Sequence, residues 1–480
     1  MFQLEIKLKQ HTPLIHFQHD QEGATLRASE VKPRLDKYIL SKLSSEDKET
    51  GMRDGWIKEK GDKTWLDYKM RIVGCKKMID SSMENDKGRT CFPSYFANQN
   101  ATPEKIKKIV FPLKSKGNAE TEKEDIIITI FLRDKFLKGK IDALKDSFFL
   151  TYNFGARHTK GFGSFFSSEN TICSLDDDRI KDFFRFQVSI PIENQNWKKV
   201  YQKLDENLSY FYKTLRSGIN IEPFYFKSLM FFYAKERKEY YDKRRIREYF
   251  KLFTDERTKR PTMIMMHDKG EKYEIDFPYN ASNARLYRDM LGLSSSQSWQ
   301  KYNAVISKEN KDIERLESPL LLKPFVAKET GENVVFIVLL VPYAIPENYF
   351  DQTFTIKKNG DDSDALPLKT PSKEKFNLVE FLRYSLCKDE DGYKEALRQL
   401  QQNNYEQWKE DYISNCNNYN FCKNKLEKKH NRNNFSESEI LKELEKEANR
   451  KIYKSNEIAK VIKNIYDSIC CPSVSKANMV

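Results

Sequence analysis

Residues Phe154–Phe165 read FGARHTKGFGSF, with Gly155, Gly161 and Gly163 set around Arg157, His158, Lys160 and Phe162. Glycine reaches backbone conformations closed to other residues and lets a backbone come close to a ligand. Successive amides in such a loop can line an anion-binding concavity. Arginine supplies a fork that matches phosphate oxygens, and lysine a point charge. The composition suits a sugar-phosphate backbone and not acyl or hydride chemistry. A Walker A loop is excluded, because no Lys-Ser/Thr follows the second glycine. A dinucleotide fingerprint is excluded, because Gly-x-Gly-x-x-Gly is absent. The plain alternative is a glycine-rich surface turn with incidental charge.

Upstream, Phe2, Leu4, Ile6 and Leu8 alternate with polar residues, the pattern of a strand with one buried face. Ser29 can cap a helix whose apolar side is Val31, Leu35, Ile39 and Leu43, with Pro33 near its start. Residues 44–124 read as polar and irregular, with Trp56 and Trp65 among lysines. DIIITIFL (Asp125–Leu132) reads as a buried strand, followed by a helix to Phe149, the glycine loop and a strand at Phe183–Ile190. That order predicts an α+β, ferredoxin-like module, a four-stranded antiparallel sheet with helices on one face, interrupted by an insertion at 44–124.

Downstream, Trp197–Leu215 has helical spacing, and Ser282–Leu293 reads as a capped helix ending at Gly292. The Ser-Pro-Leu segment near 318 and Val334–Val341 read as paired strands of a second module. Residues 357–375 read as a charged linker. The last hundred residues read as helical, with a stripe from Ile440 to Ile465 that should dock on the second module. The 480 residues predict two modules and an appendage, at 1–192, 193–356 and 376–480.

The chain has 84 Lys+Arg against 71 Asp+Glu, a net charge of +13 that favours an anionic partner. Its eight cysteines form no Cys-x-x-Cys pair or zinc quartet, so no metal or other cofactor is expected. Scattered thiols fit a reducing cytosol. The N-terminus lacks the pattern of a signal peptide, and VVFIVLLV is far shorter than a bilayer span, so a cytoplasmic protein without membrane contact is expected.

The loop pattern Gly155-x-Arg157-x-x-Lys160-Gly161-Phe162-Gly163-Ser164 resembles the glycine-rich loop of the RAMP superfamily, the RNA-binding subunits of CRISPR effectors. The strand FQLEIKLK, then HTPLI and Leu26-Arg27-x-Ser29 before the first helix, resembles that family's opening. IERLESPLLLKPF (Ile313–Phe325) is similar to an Arg-x-x-Ser-Pro-Leu segment in the second half of certain members. In that order the three marks look most like the first subunit of the type III-B (Cmr) effector. Departures are the His158-Thr159 pair, Val31-Lys32-Pro33-Arg34 in the first helix, and a tail after about 375 that matches nothing in the family. The resemblance implies two RAMP modules in one chain and a thumb-like hairpin from the insertion. It also implies guide RNA, target RNA and other RAMP-type subunits as partners in antiviral defence, with the guide held at its 3′ side.

Arg27, Lys32, Arg34 and Lys37 lie at the start and on the polar side of the first helix, where phosphate contact gains from the helix N-terminus. The alternative is a solvated face, but four cations stand here against only Glu30 and Asp36, which favours contact. Lys243, Arg244, Arg245 and Arg247 interleave with Tyr240, Tyr241, Tyr249 and Phe250, the mixture that holds single strands, or else a helix with one aromatic and one basic face. His11, His16 and His19 cluster with Asp20, and His158 sits in the loop. One of these histidines as a base would make the chain a metal-independent endoribonuclease that matures guide RNA. The alternative is a solvated loop beside RNA. The acidic runs Asp176–Asp178 and Asp361-Asp362 carry no nuclease signature.

Overall fold

The alternation at the N-terminus becomes strand β1 (Phe2–Gln10), with Leu4, Ile6 and Leu8 buried and the intervening residues exposed. The computed structural model describes residues 1–15, 26–73, 83–84, 90–92, 109–110, 126–167, 186–193, 197–252, 280–299, 302–330, 333–401, 405–430 and 435–471. These fall into two units, one of 1–208, 320–341 and 472–480, the other of 209–319 and 342–471.

In the first unit, β1 is followed by helix α1 (Ala28–Lys42) and helix α2 (Ser45–Arg53). A hairpin of β2 (Ile57–Lys60) and β3 (Lys63–Leu66) comes next, and then strand β4 (Tyr68–Val73). Strand β5 (Ile126–Leu132), helix α3 (Lys135–Thr151) and strand β6 (Phe165–Ser167) complete the set. The sheet order is β6-β1-β5-β4, all antiparallel. Val31, Leu35 and Ile39 of α1 and Leu137, Ile141 and Phe148 of α3 join Leu4, Ile6, Ile128 and Ile130 in one core.

Several expectations shift here. Residues 44–73 are regular: Ser44 and Asp47 form a capping box on α2, and β4 is a full member of the sheet. Strand β5 is buried on alternate residues only, because one face of the sheet is open. The N-cap of α1 is Arg27, and Ser29 lies within the first turn. Trp56 is buried against Phe136, whereas Trp65 stands on the exposed hairpin.

The first unit also holds a second antiparallel sheet. Strand β7 (Gln187–Glu193), strand β8 (Leu320–Thr330) and strand β9 (Asn333–Pro342) lie in the order β7-β9-β8. The Ser-Pro-Leu strand and the VVFIVLLV strand are thus neighbours, as their patterns suggest, but they lie in the first unit and not in a second module. Helix α4 (Trp197–Arg216) begins in this unit, with Tyr201 edge-on to Phe336.

The second unit centres on a six-stranded sheet in the order Tyr240–Tyr241, Ala284–Arg285, Ala365–Lys369, Thr353–Lys358, Ala304–Glu309, Ser296–Trp299. Five residues of the expected 357–375 linker therefore form a hairpin strand, Ala365–Lys369. The helix expected at 282–293 is instead a strand between two 3-10 turns, Ala281–Asn283 and Tyr287–Leu291. Pairing of Arg285 with Lys369 and burial of Arg288 and Asp289 in ion pairs override its helical spacing. Helix α5 (Leu229–Glu236) and helix α6 (Asp242–Tyr249) precede that segment.

Among the described residues, five helices follow: α7 (Leu378–Leu386), α8 (Asp391–Gln401), α9 (Tyr405–Ser414), α10 (Cys416–His430) and α11 (Glu437–Asp467). The stripe on α11 divides. Ile440, Leu444 and Ala448 pack with Tyr412, Cys422 and Leu426 of the neighbouring helices. Further along, Ile458, Ile462 and Ile465 are buried and Tyr466 meets Phe211 and Tyr393. No helix among the described residues is long and apolar enough to cross a membrane.

Candidate nucleic-acid interface

Three segments far apart in sequence meet at the glycine loop. His11–Ile15 runs alongside it: Gly163 N donates to Pro13 O at 2.8 Å and Ala156 N to Ile15 O at 3.0 Å. Ser164 N donates to Thr12 Oγ1 at 2.9 Å. Strand β8 supports the other side, with Leu322 N donating to Thr159 O at 3.1 Å. Asn153 Nδ2 donates to both His158 O and Leu322 O at 2.8 Å. Lys323 Nζ donates to Tyr152 O at 2.7 Å and Phe165 O at 2.9 Å, joining the two ends of the loop. The three stretches that carried the resemblance are one packed cluster.

The loop's glycines serve its own packing. A Cβ on Gly163, at φ +64°, would stand 1.8 Å from Phe154 O, and one on Gly155 would stand 2.5 Å from Leu14 Cδ1. Its amides are largely spent as well. Those of Phe154, Gly155, Ala156, Lys160, Gly161, Gly163 and Ser164 all donate within the protein. The expectation of a bare amide nest is corrected: side chains, not a row of free N–H groups, are left to meet an anion.

Those side chains are themselves organised. Arg157 is half-buried and holds Asp205 through two hydrogen bonds, 3.0 and 3.3 Å, while its guanidinium lies 5.0 Å from the centre of the Phe162 ring. Phe162 is buried, so it is a packing residue and offers no face to a base. Gly161 faces Leu208 and Pro324. His158 is half-buried, with Nδ1 3.1 Å from Gly155 O, and Lys160 is half-buried beside it.

Helix α1 closes the site. Glu30 Oε1 accepts from Gly155 N at 2.7 Å, and Arg34 Nη1 donates to Asn153 O at 2.7 Å. Between α1 and the loop lies a cleft of about 260 Å³ lined by Leu14, Ile15, Arg27, Ser29, Glu30, Arg34 and Gly155. Lys32 faces elsewhere, paired with Asp36 at 2.7 Å and lying over the Tyr68 ring, and Lys37 is exposed. Arg27 and Arg34 are therefore the two cations of the helix that reach the cleft.

His11 is not a solvated residue. It is buried, accepts a hydrogen bond at Nδ1 from Val326 N at 3.0 Å, and sits edge-on to Phe166 and Phe325. Burial first, then Lys9 and Lys323, push its pKa well below the ordinary imidazole value. His16, His19 and Asp20 lie outside the described residues.

On helix α6 in the second unit, Lys243 is exposed and Arg244 pairs with Glu248 at 2.7 Å. Arg245 lies 5.6 Å from the centre of the Tyr249 ring, and Arg247 reaches Tyr302 at 3.5 Å. Tyr240, Tyr241 and Phe250 are buried, so these aromatics pack the core instead of offering stacking faces. The helix is anchored by Asp242, fully enclosed and 3.0 Å from Arg288.

Sequence reading passed over Asp205, Asn153, Lys323 and Glu30. For Lys323 a signal existed: it is the one lysine inside the apolar run LLLKPF. Asp205 stood among the lysines of a surface-like helix, where nothing marks a buried partner.

Two family models match the chain, the Cmr1 N-terminal domain over residues 1–219 and the Cmr1 C-terminal domain over residues 225–410. No curated protein matches it.

Proposed function

The chain belongs to the Cmr1 family of type III-B CRISPR-associated proteins, and we propose that it holds RNA in the effector without cutting it. In this reading it clamps the guide, paired with its target, near the guide's 3′ side and abuts other RAMP-type subunits. The first unit's β6-β1-β5-β4 order, with α1 and α3 on one face, supports a ferredoxin-like RAMP module.

One observation carries the proposal: three separate segments converge to build a rigid loop against the N-terminus of α1, leaving a cleft with Arg27 and Arg34 at its wall. A helix N-terminus and two arginines favour phosphate. Arg157, His158 and Lys160 stand on the loop, and Gly155, Gly161, Phe162 and Gly163 fix its shape. Lys32 and Lys37 extend the basic helix, and Lys243, Arg244, Arg245 and Arg247 form a second basic surface on α6. Burial of His11 in a hydrogen bond to backbone leaves it poorly placed as a base.

Binding of the full chain to a guide-length RNA should weaken steeply with salt, because each phosphate neutralised releases counterions. Arg27→Ala with Arg34→Ala should flatten that slope and lower affinity about tenfold or more, since two charge-assisted contacts are worth roughly 1.5–3 kcal/mol each. A salt-independent affinity, or specific cleavage of the RNA, would overturn the reading.

A further inference from the structure

The first sheet has an outer face that the loop does not use. Helices α1 and α3 cover the side of Leu4, Ile6, Ile128 and Ile130. The opposite side presents Lys7 and Lys9 on β1, Lys69 and Arg71 on β4, all exposed, and the half-exposed Ile127 and Phe131 on β5 between them. The register sets these in rows. Lys7 lies opposite Ile127, and Phe131 lies opposite Lys69. Arg71 lies opposite Thr129 in the row between.

Among the described residues, exposed cations without a carboxylate occur elsewhere in the unit too, Lys37, Lys60 and Lys135 among them. What marks this face is that four such cations share one side of one sheet. Arg157, Lys32, Arg34 and Lys140 each hold a carboxylate. Among the described residues, Lys7, Lys9, Lys69 and Arg71 hold none. Among the described residues of these strands the face has one acid, Glu5, and its Oε1 accepts from the Gln3 amide at 2.8 Å. Soluble surfaces ordinarily intersperse both signs. Phe131 has Lys69 on one side and Gln3 on the other. With Arg71, Lys7 and Lys9 further along the same face, the set matches a strand of phosphates with its bases turned inward. A duplex hides its base faces, so Phe131 gains nothing from one.

We propose that this outer face binds a single-stranded polynucleotide, at a site separate from the cleft at α1. Phosphates lie along Lys69, Arg71, Lys7 and Lys9, and a base stacks on Phe131. The reading does not rest on the cleft.

The test uses the full chain with labelled U20, dT20 and a blunt RNA duplex, titrated at several salt concentrations. Phe131→Ala should weaken U20 binding roughly 5- to 150-fold, the span of one stacked base. Lys69→Ala with Arg71→Ala should weaken it and reduce the salt slope by about 1.4, at roughly 0.7 per single-strand phosphate contact. All these side chains point outward, so melting temperatures should hold, and Lys428→Ala with Lys429→Ala serves as the control pair. Loss for U20 and dT20 together supports the proposal, and loss for U20 alone supports it and names RNA. Unchanged binding of both single strands overturns it, as does an equal loss for the duplex. So does a loss confined to capture of another effector subunit, which would make the face a protein interface. The Arg27→Ala, Arg34→Ala variant runs in parallel. Loss there with none here leaves the cleft standing and removes this site, and the converse removes the cleft alone.

Discussion

Arg157 and Asp205 form a two-pronged ion pair, Nη2 to Oδ1 at 3.0 Å and Nη1 to Oδ2 at 3.3 Å. The arginine's φ of 57° places it in the left-handed region, so the residue that most suggested a phosphate fork is also held in a strained backbone. Its first task is to brace the loop against helix α4.

Removing Arg157 therefore tests stability before it tests RNA. Arg157→Ala leaves the Asp205 carboxylate buried without its cation, and a loss of about 3 kcal/mol is expected in urea unfolding. Arg157→Ala with Asp205→Leu should recover much of that loss, because replacing both charges avoids the stranded one. A loss of only a few tenths in the single variant would show an exposed pair.

The glycines separate into two kinds. Gly163→Ala places a methyl 1.8 Å from the Phe154 carbonyl and should fail to fold or lose many degrees of melting temperature. Gly61→Ala, also at positive φ but with nothing within 4 Å, should cost about 1 kcal/mol. Thermal melts of both variants decide this, and equal costs would remove the packing account of the loop.

How much was legible in the sequence follows from the range of each signal. The alternation of β1 and the spacing of α4 were visible because each is a local pattern answering to one buried face. The strand expected at 183–190 to complete the first sheet pairs instead in the second, as β7, and β4 from the expected insertion takes a place in the first. The glycine loop was visible as composition, yet its chemistry was misread, because free amides and paired amides look alike in sequence. Long-range partners decided that difference: Pro13, Ile15 and Leu322 hold the loop from 140 residues or more away. The expected helix at 282–293 failed for the same reason, as its apolar spacing lost to the buried pairing of Arg288 with Asp242 and of Asp289 with Lys308.

Buried titratable groups near the loop give the first unit a pH signature. Burial holds the Lys323 ammonium well below its ordinary pKa. Between that lowered value and the unfolded value near 10.5, the unfolded chain binds a proton that the fold does not. Stability should then rise with pH across the window, by up to about 1.4 kcal/mol per pH unit. His11 has the same sign lower down, so stability should fall as pH drops through the unfolded value near 6.5. Urea midpoints from pH 5 to 10 give the profile. Lys323→Met should remove part of the alkaline slope, and an unchanged slope would mean that Lys323 stays charged in the fold.

The second unit makes the complementary prediction, on charges buried with partners. Lys308, fully enclosed, bonds Asp289 and lies 3.7 Å from Asp242, which Arg288 holds at 3.0 Å. Lys308→Met should cost about 3–5 kcal/mol, because Asp289 loses its closest cation where water cannot replace it. Adding Asp289→Leu should return much of the loss, since the removed pair repaid its own desolvation only in part. Arg244→Ala on the same unit breaks an i,i+4 pair with Glu248 on a partly exposed helix face and should cost about 0.3–0.5 kcal/mol. Its RNA affinity is the informative readout, because a fold this little disturbed cannot account for a several-fold loss of binding. Urea unfolding and RNA titration of the three variants separate the roles. A large stability loss from Arg244→Ala, or none from Lys308→Met, would reverse the assignment of frame and surface.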